Sequence, residues 1–205
     1  MLLCDIGNTS YHFLDGEKDY KKDVKSFDAS CMKETIYYIS VNSEVNATLK
    51  TLPNWINLSA FIDKEQYYET MGIDRVVAVE ALSNSVIVDA GSAITVDIVR
   101  EGLFEGGFIY PGVDAMQKTY LNISPALHYS FNFDLDLDIM PKNSQDAISY
   151  GFLKTLYSEV MSHKLSVVLT GGNANELHKI FKDAIIDERL IFNGMKKIIK
   201  KAKLC

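Results

Sequence analysis

A short pattern of strand, aspartate and glycine occurs twice in the chain, and it is the feature that most constrains the fold. The first copy is an apolar run that ends at Asp5, with Gly7 in the next turn, and the second ends at Asp89, with Gly91 after it. Hydroxyl or amide side chains follow each glycine. Each copy then returns through a second extended run to an acidic residue followed by glycine, namely Asp15-Gly16 and Glu101-Gly102. This duplication predicts two related halves.

The pattern also indicates a kind of ligand. A carboxylate at the end of a buried strand can hold a cation, and a glycine turn lets backbone N–H groups approach phosphate oxygens. Two such loops facing each other would bind one nucleotide from both sides. A single Asp-x-Gly turn after a strand is more often an ordinary hairpin, so the spacing alone leaves both interpretations open.

Composition excludes several other classes of protein. The chain has 205 residues, 47% of them hydrophobic, which suits one globular domain or two small ones. A net charge of -6 argues against general nucleic-acid binding, and no apolar run is long enough to cross a membrane. The cysteines, Cys4, Cys31 and Cys205, have no metal-ligand spacing, which favours reduced thiols in a cytoplasmic protein.

Periodicity predicts strands that precede helices in both halves, and therefore an α/β fold. We expect a boundary near residue 84, which gives halves at residues 1–84 and 85–205. A long helix is predicted over Ser144–His163 with Ser144 as its N-cap, and a shorter helix over Asn175–Ala184. A strand is predicted near Leu190–Phe192, followed by a basic helical tail from Met195.

Two further motifs indicate possible catalytic or binding residues. Gly72-Ile73-Asp74-Arg75 opens an apolar helical run, where Asp74 could cap the helix or orient a substrate hydroxyl, with Arg75 available to hold an anion. Glycine clusters at residues 106–112 and 170–172 could be strand punctuation or backbone that lies close to a nucleotide.

These motifs resemble, in order along the chain, those of the type III pantothenate kinases. The resemblance includes the two aspartate loops, residues 72–75, and the glycine cluster at residues 106–112. Ser144-Gln145-Asp146-Ala147-Ile148-Ser149-Tyr150-Gly151 looks like the later substrate motif of the family, and Thr170-Gly171-Gly172 like its adenosine motif. The resemblance spans nearly the whole chain.

The resemblance implies a fold of the actin/hexokinase/Hsp70-like (ribonuclease H-like) superfamily, with two related α/β halves around a nucleotide cleft. It implies ATP-dependent phosphorylation of pantothenate to 4'-phosphopantothenate, the first step of coenzyme A synthesis. It further implies a homodimer that requires Mg²⁺ and a monovalent cation (K⁺ or NH₄⁺), with no nucleic-acid or membrane partner.

Roles carry over position by position from that resemblance. Asp74 would be the catalytic proton acceptor, Asp89 would bind the monovalent cation, and Asp5 would lie near the magnesium ion. The residues implied at ATP are Asp5, Ile6, Gly7, Asn8, Thr9, Ser10, Tyr11, His12 and Ser92. Those implied at pantothenate are Tyr68 (chosen over Tyr67), Gly72, Ile73, Asp74, Arg75 and Ser144. Ser92 and Ser144 each stand where the family usually has threonine.

Two other functions remain open from the sequence. One is a different phosphotransferase or phosphohydrolase of the same superfamily, which the duplicated loops would serve equally well. The other is a non-catalytic, nucleotide-sensing regulatory protein. The presence of Asp5, Asp74 and Asp89 together argues against the regulator, because a scaffold need not keep all these carboxylates.

Overall fold

The computed structural model describes residues 1–204, which form two compact units. The first unit consists of Met1–Leu82 together with residues 189–204, and the second unit is Ser83–Glu188. Each unit is built on one mixed sheet with helices. The predicted α/β class is therefore confirmed.

The first unit contains a five-stranded sheet with the order β3-β2-β1-β4-β5. The strand β1 pairs antiparallel with β2 and parallel with β4. Its alternate residues Leu2, Cys4 and Ile6 enter an aromatic-rich core, while Asp5 points to the other face. The strands are β1 (Leu2–Ile6), β2 (Ser10–Asp15), β3 (Lys18–Asp23), β4 (Ile36–Ser40) and β5 (Trp55–Asn57).

The second unit repeats this arrangement with the order β10-β9-β6-β7-β8. The strand β6 pairs antiparallel with β7 and parallel with β9, as β1 does with β2 and β4. Its strands are β6 (Ser85–Ala90), β7 (Ala93–Arg100), β8 (Leu103–Pro111), β9 (Val167–Thr170) and β10 (Ile185–Ile186).

The two aspartates occupy matching places in these sheets. Asp5 is the next-to-last residue of β1 and lies opposite His12, and Asp89 is the next-to-last residue of β6 and lies opposite Thr95. The acidic-glycine turns also match, because Gly16 and Gly102 both adopt positive φ between the second and third strands of each sheet. The prediction of two related halves is thus confirmed.

The helices cover the sheets of their own units. In the first unit, α2 packs against α6 so closely that a β-carbon on Gly194 would stand 2.0 Å from the backbone oxygen of Val77. The helices are α1 (Ser43–Leu49), α2 (Ile73–Ala81), α3 (Val113–Ile123), α4 (Ser144–Ser162), α5 (Ala174–His178) and α6 (Leu190–Lys201). Within residues 1–204, no helix has both the length and the apolar character needed to cross a membrane.

Several predicted elements need correction. The predicted strand at Leu190–Phe192 is the first turn of α6, where Leu190 and Phe192 are buried. The predicted helix at Asn175–Ala184 is shorter, because α5 ends at His178 and the chain then turns toward β10. The N-cap of α4 is Asn143, whose side chain accepts the backbone N–H of Asp146, while Ser144 is the first helical residue.

The C-terminal segment is assigned differently by the sequence and by the structure. The sequence groups residues 85–205 as one half, whereas residues 189–204 belong to the first unit. The amphipathic pattern of α6 predicts that it needs an apolar surface. It does not predict which of two sheets provides that surface.

Candidate functional site

The turn between β1 and β2 is the first candidate site. Asp5 is half-buried at its start, and the N–H of Gly7 donates to the backbone oxygen of Ser10 at 3.0 Å, which closes the turn. Asn8 and Thr9 are exposed at its tip, whereas Ile6 and Tyr11 are buried in the core. Of the predicted ATP contacts, Asn8 and Thr9 therefore offer side chains, and Ile6 and Tyr11 offer only their backbone.

His12 lies beside this turn but has partners of its own. Its Nε2 is 3.2 Å from Oδ2 of Asp19 on β3, and its ring meets Phe192 of α6 edge-on. Burial lowers the pKa of His12, and the hydrogen bond to Asp19 partly opposes that effect. These contacts tie β2 to β3 and to α6.

The turn between β6 and β7 is the matching site in the second unit, and two glycines from elsewhere pack against it. A β-carbon on Gly112 would stand 2.2 Å from the backbone oxygen of Ser92. A β-carbon on Gly171 would stand 2.3 Å from Oδ1 of Asp89 and 2.8 Å from the backbone of Ala90. The glycine clusters predicted from the sequence therefore make room for the loop that carries Asp89 and Ser92.

The N-terminus of α2, in the first unit, is the third candidate site. Gly72 is its N-cap and makes no side-chain capping bond, and Asp74 lies inside the first turn. Since α2 begins at Ile73, Asp74 is not the N-cap residue, and its Oδ1 accepts the N–H of Arg75 at 2.9 Å. A β-carbon on Gly72 would stand 2.5 Å from that same oxygen, so glycine at this position leaves room for the carboxylate.

The two neighbouring tyrosines before α2 take different partners. Nη1 of the buried Arg75 donates to the Tyr68 hydroxyl, and the guanidinium carbon lies 5.8 Å from the ring centre of Tyr68. Tyr67 instead donates its hydroxyl to Oε1 of Glu80 at 3.0 Å. Burial raises the pKa of Tyr67 strongly, and the Glu80 carboxylate adds to the effect.

Ser144 lies exposed at the start of α4 in the second unit. The first turn of this helix is fixed by Asp146, whose carboxylate accepts hydrogen bonds from the side-chain amides of Asn132 at 2.9 Å and Asn143 at 2.7 Å. These bonds lower the pKa of Asp146. The start of α4 is thus held against the irregular segment that precedes it.

Sequence reasoning missed the partners that hold these residues. Glu80 gave no signal beyond its place on a helix, and Asp19 lies on β3, a polar strand that was not predicted. Arg189 stabilises the turn between β2 and β3 by donating to a carboxylate oxygen of Glu17 at 2.9 Å.

Comparison with known proteins identifies the family. Residues 37–163 match the sequence profile described as type III pantothenate kinase. A type III pantothenate kinase from Sulfurimonas denitrificans is 58% identical over 205 residues, covering 100% of both chains. One from Campylobacter jejuni subsp. jejuni is 41% identical over 202 residues, covering 98% of this chain and 97% of the relative.

Solved structures agree with the fold. A protein from Campylobacter jejuni described as a conserved Baf family transcriptional activator superposes with a TM-score of 0.88 at 40% identity, covering 100% of both chains. A protein from Sinorhizobium meliloti described as a 2-dehydro-3-deoxygalactonokinase matches with a TM-score of 0.57 at 9% identity, covering 98% of both chains, and supports the fold alone. With its ordered motifs, its duplicated sheets and these full-length relatives, the chain belongs to the type III pantothenate kinase family.

Proposed function

We propose that this protein transfers the γ-phosphate of ATP to the hydroxyl group of pantothenate, giving 4'-phosphopantothenate for coenzyme A synthesis. The observation that carries the proposal is the duplicated turn. Asp5 and Asp89 hold matching positions in two sheets of the same strand order, in a chain of this kinase family.

The turns after β1 and β6 are the proposed ATP sites. Exposed hydroxyl and amide groups at Asn8, Thr9 and Ser92 supply donors for phosphate oxygens, and the glycine turns add backbone N–H groups. The side chain of His12 is held by Asp19 and Phe192, so its contribution to ATP binding is best explained as support for the turn.

Magnesium and a monovalent cation fit the carboxylates in these turns. Within the described chain, no group of three or more His, Cys, Asp or Glu side chains could hold a metal by itself. That suits Mg²⁺, which usually takes one or two carboxylates and completes its shell with phosphates and water. Asp5 would hold Mg²⁺, and Asp89, in the room left by Gly171, would hold K⁺ or NH₄⁺. The cations would offset charge on the transferred phosphoryl group.

Asp74 is the proposed proton acceptor. Its Oδ1 accepts the N–H of Arg75, which fixes the carboxylate at the N-terminus of α2 and leaves Oδ2 to take the proton of the attacking hydroxyl. A base positioned in this way typically contributes about 10²–10⁴-fold to the rate. Phosphoryl transfer depends mainly on such positioning and on charge neutralisation.

Tyr68 and Arg75 form the proposed anchor for pantothenate. A buried guanidinium that already binds a phenol hydroxyl is suited to hold the carboxylate of an acid substrate, because Arg makes paired hydrogen bonds with carboxylates. The contact with Arg75 favours Tyr68 over Tyr67 as the substrate tyrosine. The resemblance to the family further implies that Gly72, Ile73 and Ser144 contact pantothenate.

The proposal includes a homodimer in the cytoplasm. The second unit exposes several large apolar side chains that a partner subunit could cover. They are Leu103 and Ile109 on the edge strand β8, Ile123 at the end of α3, and Ile139 and Met140 in the irregular segment. Light scattering of the purified protein would test the dimer, and a monomeric mass would contradict it.

Two experiments distinguish the alternative functions: a test of acceptor substrates and a test of growth in a cell that lacks pantothenate kinase. A panel of small hydroxyl compounds, including sugars and carboxylic acids, incubated with ATP distinguishes pantothenate from other acceptors. The name of the similar Campylobacter jejuni structure keeps a regulatory function as the second candidate. Growth of a cell that lacks its own pantothenate kinase, restored by this gene but not by its Asp74→Asn variant, supports the enzyme. Failure to restore growth would favour the regulator.

A further inference from the structure

Tyr68 lies in the loop of residues 63–72, which contains no helix or strand. The backbone of this loop makes local turns, in which the N–H of Tyr67 donates to the backbone oxygen of Lys64 at 3.1 Å and that of Met71 to the backbone oxygen of Tyr68 at 3.0 Å. Loops without regular secondary structure are in general more mobile than helices and strands. Side-chain contacts to α2 therefore help to fix the position of Tyr68.

Glu80 on α2 provides such a contact. Its Oε1 accepts the hydroxyl of Tyr67 at 3.0 Å and lies 3.4 Å from Nε2 of Gln66. The Glu80 side chain is only 13% exposed, and Lys201 of α6 lies 3.9 Å from its other oxygen. Hydrogen bonds to an ionised acceptor away from water are about twice as strong as neutral ones.

The same helix therefore holds both tyrosines. Glu80 near its C-terminal end binds Tyr67, and Arg75 in its first turn binds Tyr68. Since the tyrosines are neighbours in the chain, fixing one restricts the other. Burial and the Glu80 charge keep the pKa of Tyr67 above its ordinary value, in keeping with a hydroxyl that donates to the carboxylate.

We propose that Tyr67 and Glu80 are positioning residues that hold Tyr68 against Arg75 and thereby set the affinity for the acid substrate. This inference rests on the proposed function of the same site. Gln66 supports the contact through its Nε2, while its Oε1 is buried without a hydrogen-bond partner in the described chain. Glu80 touches Tyr67 and Gln66 rather than the residues proposed to meet substrate, so its effect on binding is indirect.

A double-mutant cycle tests the inference. Tyr67→Phe removes only the hydroxyl, and Glu80→Ala removes its acceptor, with Glu80→Gln in reserve if the alanine variant does not fold. We expect each to raise KM for pantothenate roughly tenfold, the factor typical of losing one hydrogen bond to a charged group. KM for ATP and kcat should stay within about twofold of the parent. The double variant should be no worse than the poorer single variant, because the two residues act through one bond.

Tyr20→Phe is the matched control, because the Tyr20 ring stacks on Phe13 in the first unit, away from α2. An unchanged KM for pantothenate in folded Tyr67→Phe overturns the inference. So does an equal loss in both KM values and kcat, which would show a merely structural role. Parent protein that does not phosphorylate pantothenate contradicts the proposed function instead, and binding of pantothenate measured by calorimetry then tests the positioning by itself.

Discussion

Gly171 provides the space in which the Asp89 carboxylate lies. A β-carbon at position 171 would stand 2.3 Å from Oδ1 of Asp89, and the residue adopts φ of +85°, which favours glycine. Asp89 lies opposite Thr170 in the parallel pair β6–β9, so the two strand ends meet at this point. The glycine that follows β9 therefore shapes the turn that follows β6.

The first prediction concerns this contact. Gly171→Ala should lower the free energy of unfolding by about 1–3 kcal/mol, since it adds both backbone strain and a clash with Asp89 and Ala90. Gly172→Ala is the matched control, because no atom lies within 4 Å of its added β-carbon. Urea unfolding measures both variants. Equal stability of the two variants would contradict the tight fit of Gly171 against Asp89 and Ala90.

The second prediction concerns the cation. If Asp89 holds K⁺, the parent should turn over faster in potassium than in sodium buffer at the same ionic strength. Asp89→Asn should remove that difference by weakening the site for both ions. Initial rates at saturating ATP and pantothenate measure it. Asp97→Asn is not a suitable control because Asp97 is buried, so the exposed Asp114→Asn serves instead. A variant at Asp89 that keeps the preference for potassium contradicts the assignment.

The third prediction concerns the packing of α6 on α2. Gly194→Ala should destabilise the protein by more than about 1 kcal/mol, because the new methyl group would meet the backbone of Val77. Gly151→Ala in α4 has open space around it and should be neutral, or stabilising by up to about 1 kcal/mol through helix propensity. Thermal unfolding of both variants checks the contrast. Similar melting temperatures for the two would mean that the helices separate easily.

The fourth prediction concerns pH. Hydrogen bonds from Asn132 and Asn143 hold the pKa of Asp146 below its ordinary value, so the ionised form stabilises the start of α4. This contribution is present above the unfolded pKa of about 3.9 and is lost as pH falls through the lowered folded pKa. Asp146→Asn should therefore melt earlier than the parent at pH 7, with a gap that closes in acid below pH of about 4. A gap that is constant down to acid pH would contradict the origin of the shift.

The duplicated turns could be predicted because the residue types that they require can be recognised in the sequence. Aspartate at a strand end and glycine in the next turn each serve a local need, and both copies carry them in the same order. The strand β3 could not be predicted, because Lys18–Asp23 is polar apart from Tyr20 and carries no alternating pattern. In the fold it pairs antiparallel with β2 along its whole length.

Contacts between segments that are distant in the chain could not be predicted from the sequence. The run Leu190–Phe192 is apolar and short, and such a run suits a buried helix turn as well as a strand. Taken alone, a glycine at position 194 disfavours a helix. In the fold it lets α6 approach α2 closely. The choice between Tyr67 and Tyr68 was equally open, because an irregular loop has no period that fixes which side chain faces α2.

The transfer of labelled γ-phosphate from ATP to pantothenate by the purified protein, in a buffer with Mg²⁺ and K⁺, tests the account most directly. We expect label on pantothenate with the parent protein, and a rate lower by about 10²–10⁴-fold with Asp74→Asn, which removes the proton acceptor and keeps its shape. Absence of labelled pantothenate with the folded parent, or an Asp74→Asn rate within a few-fold of the parent, would contradict it.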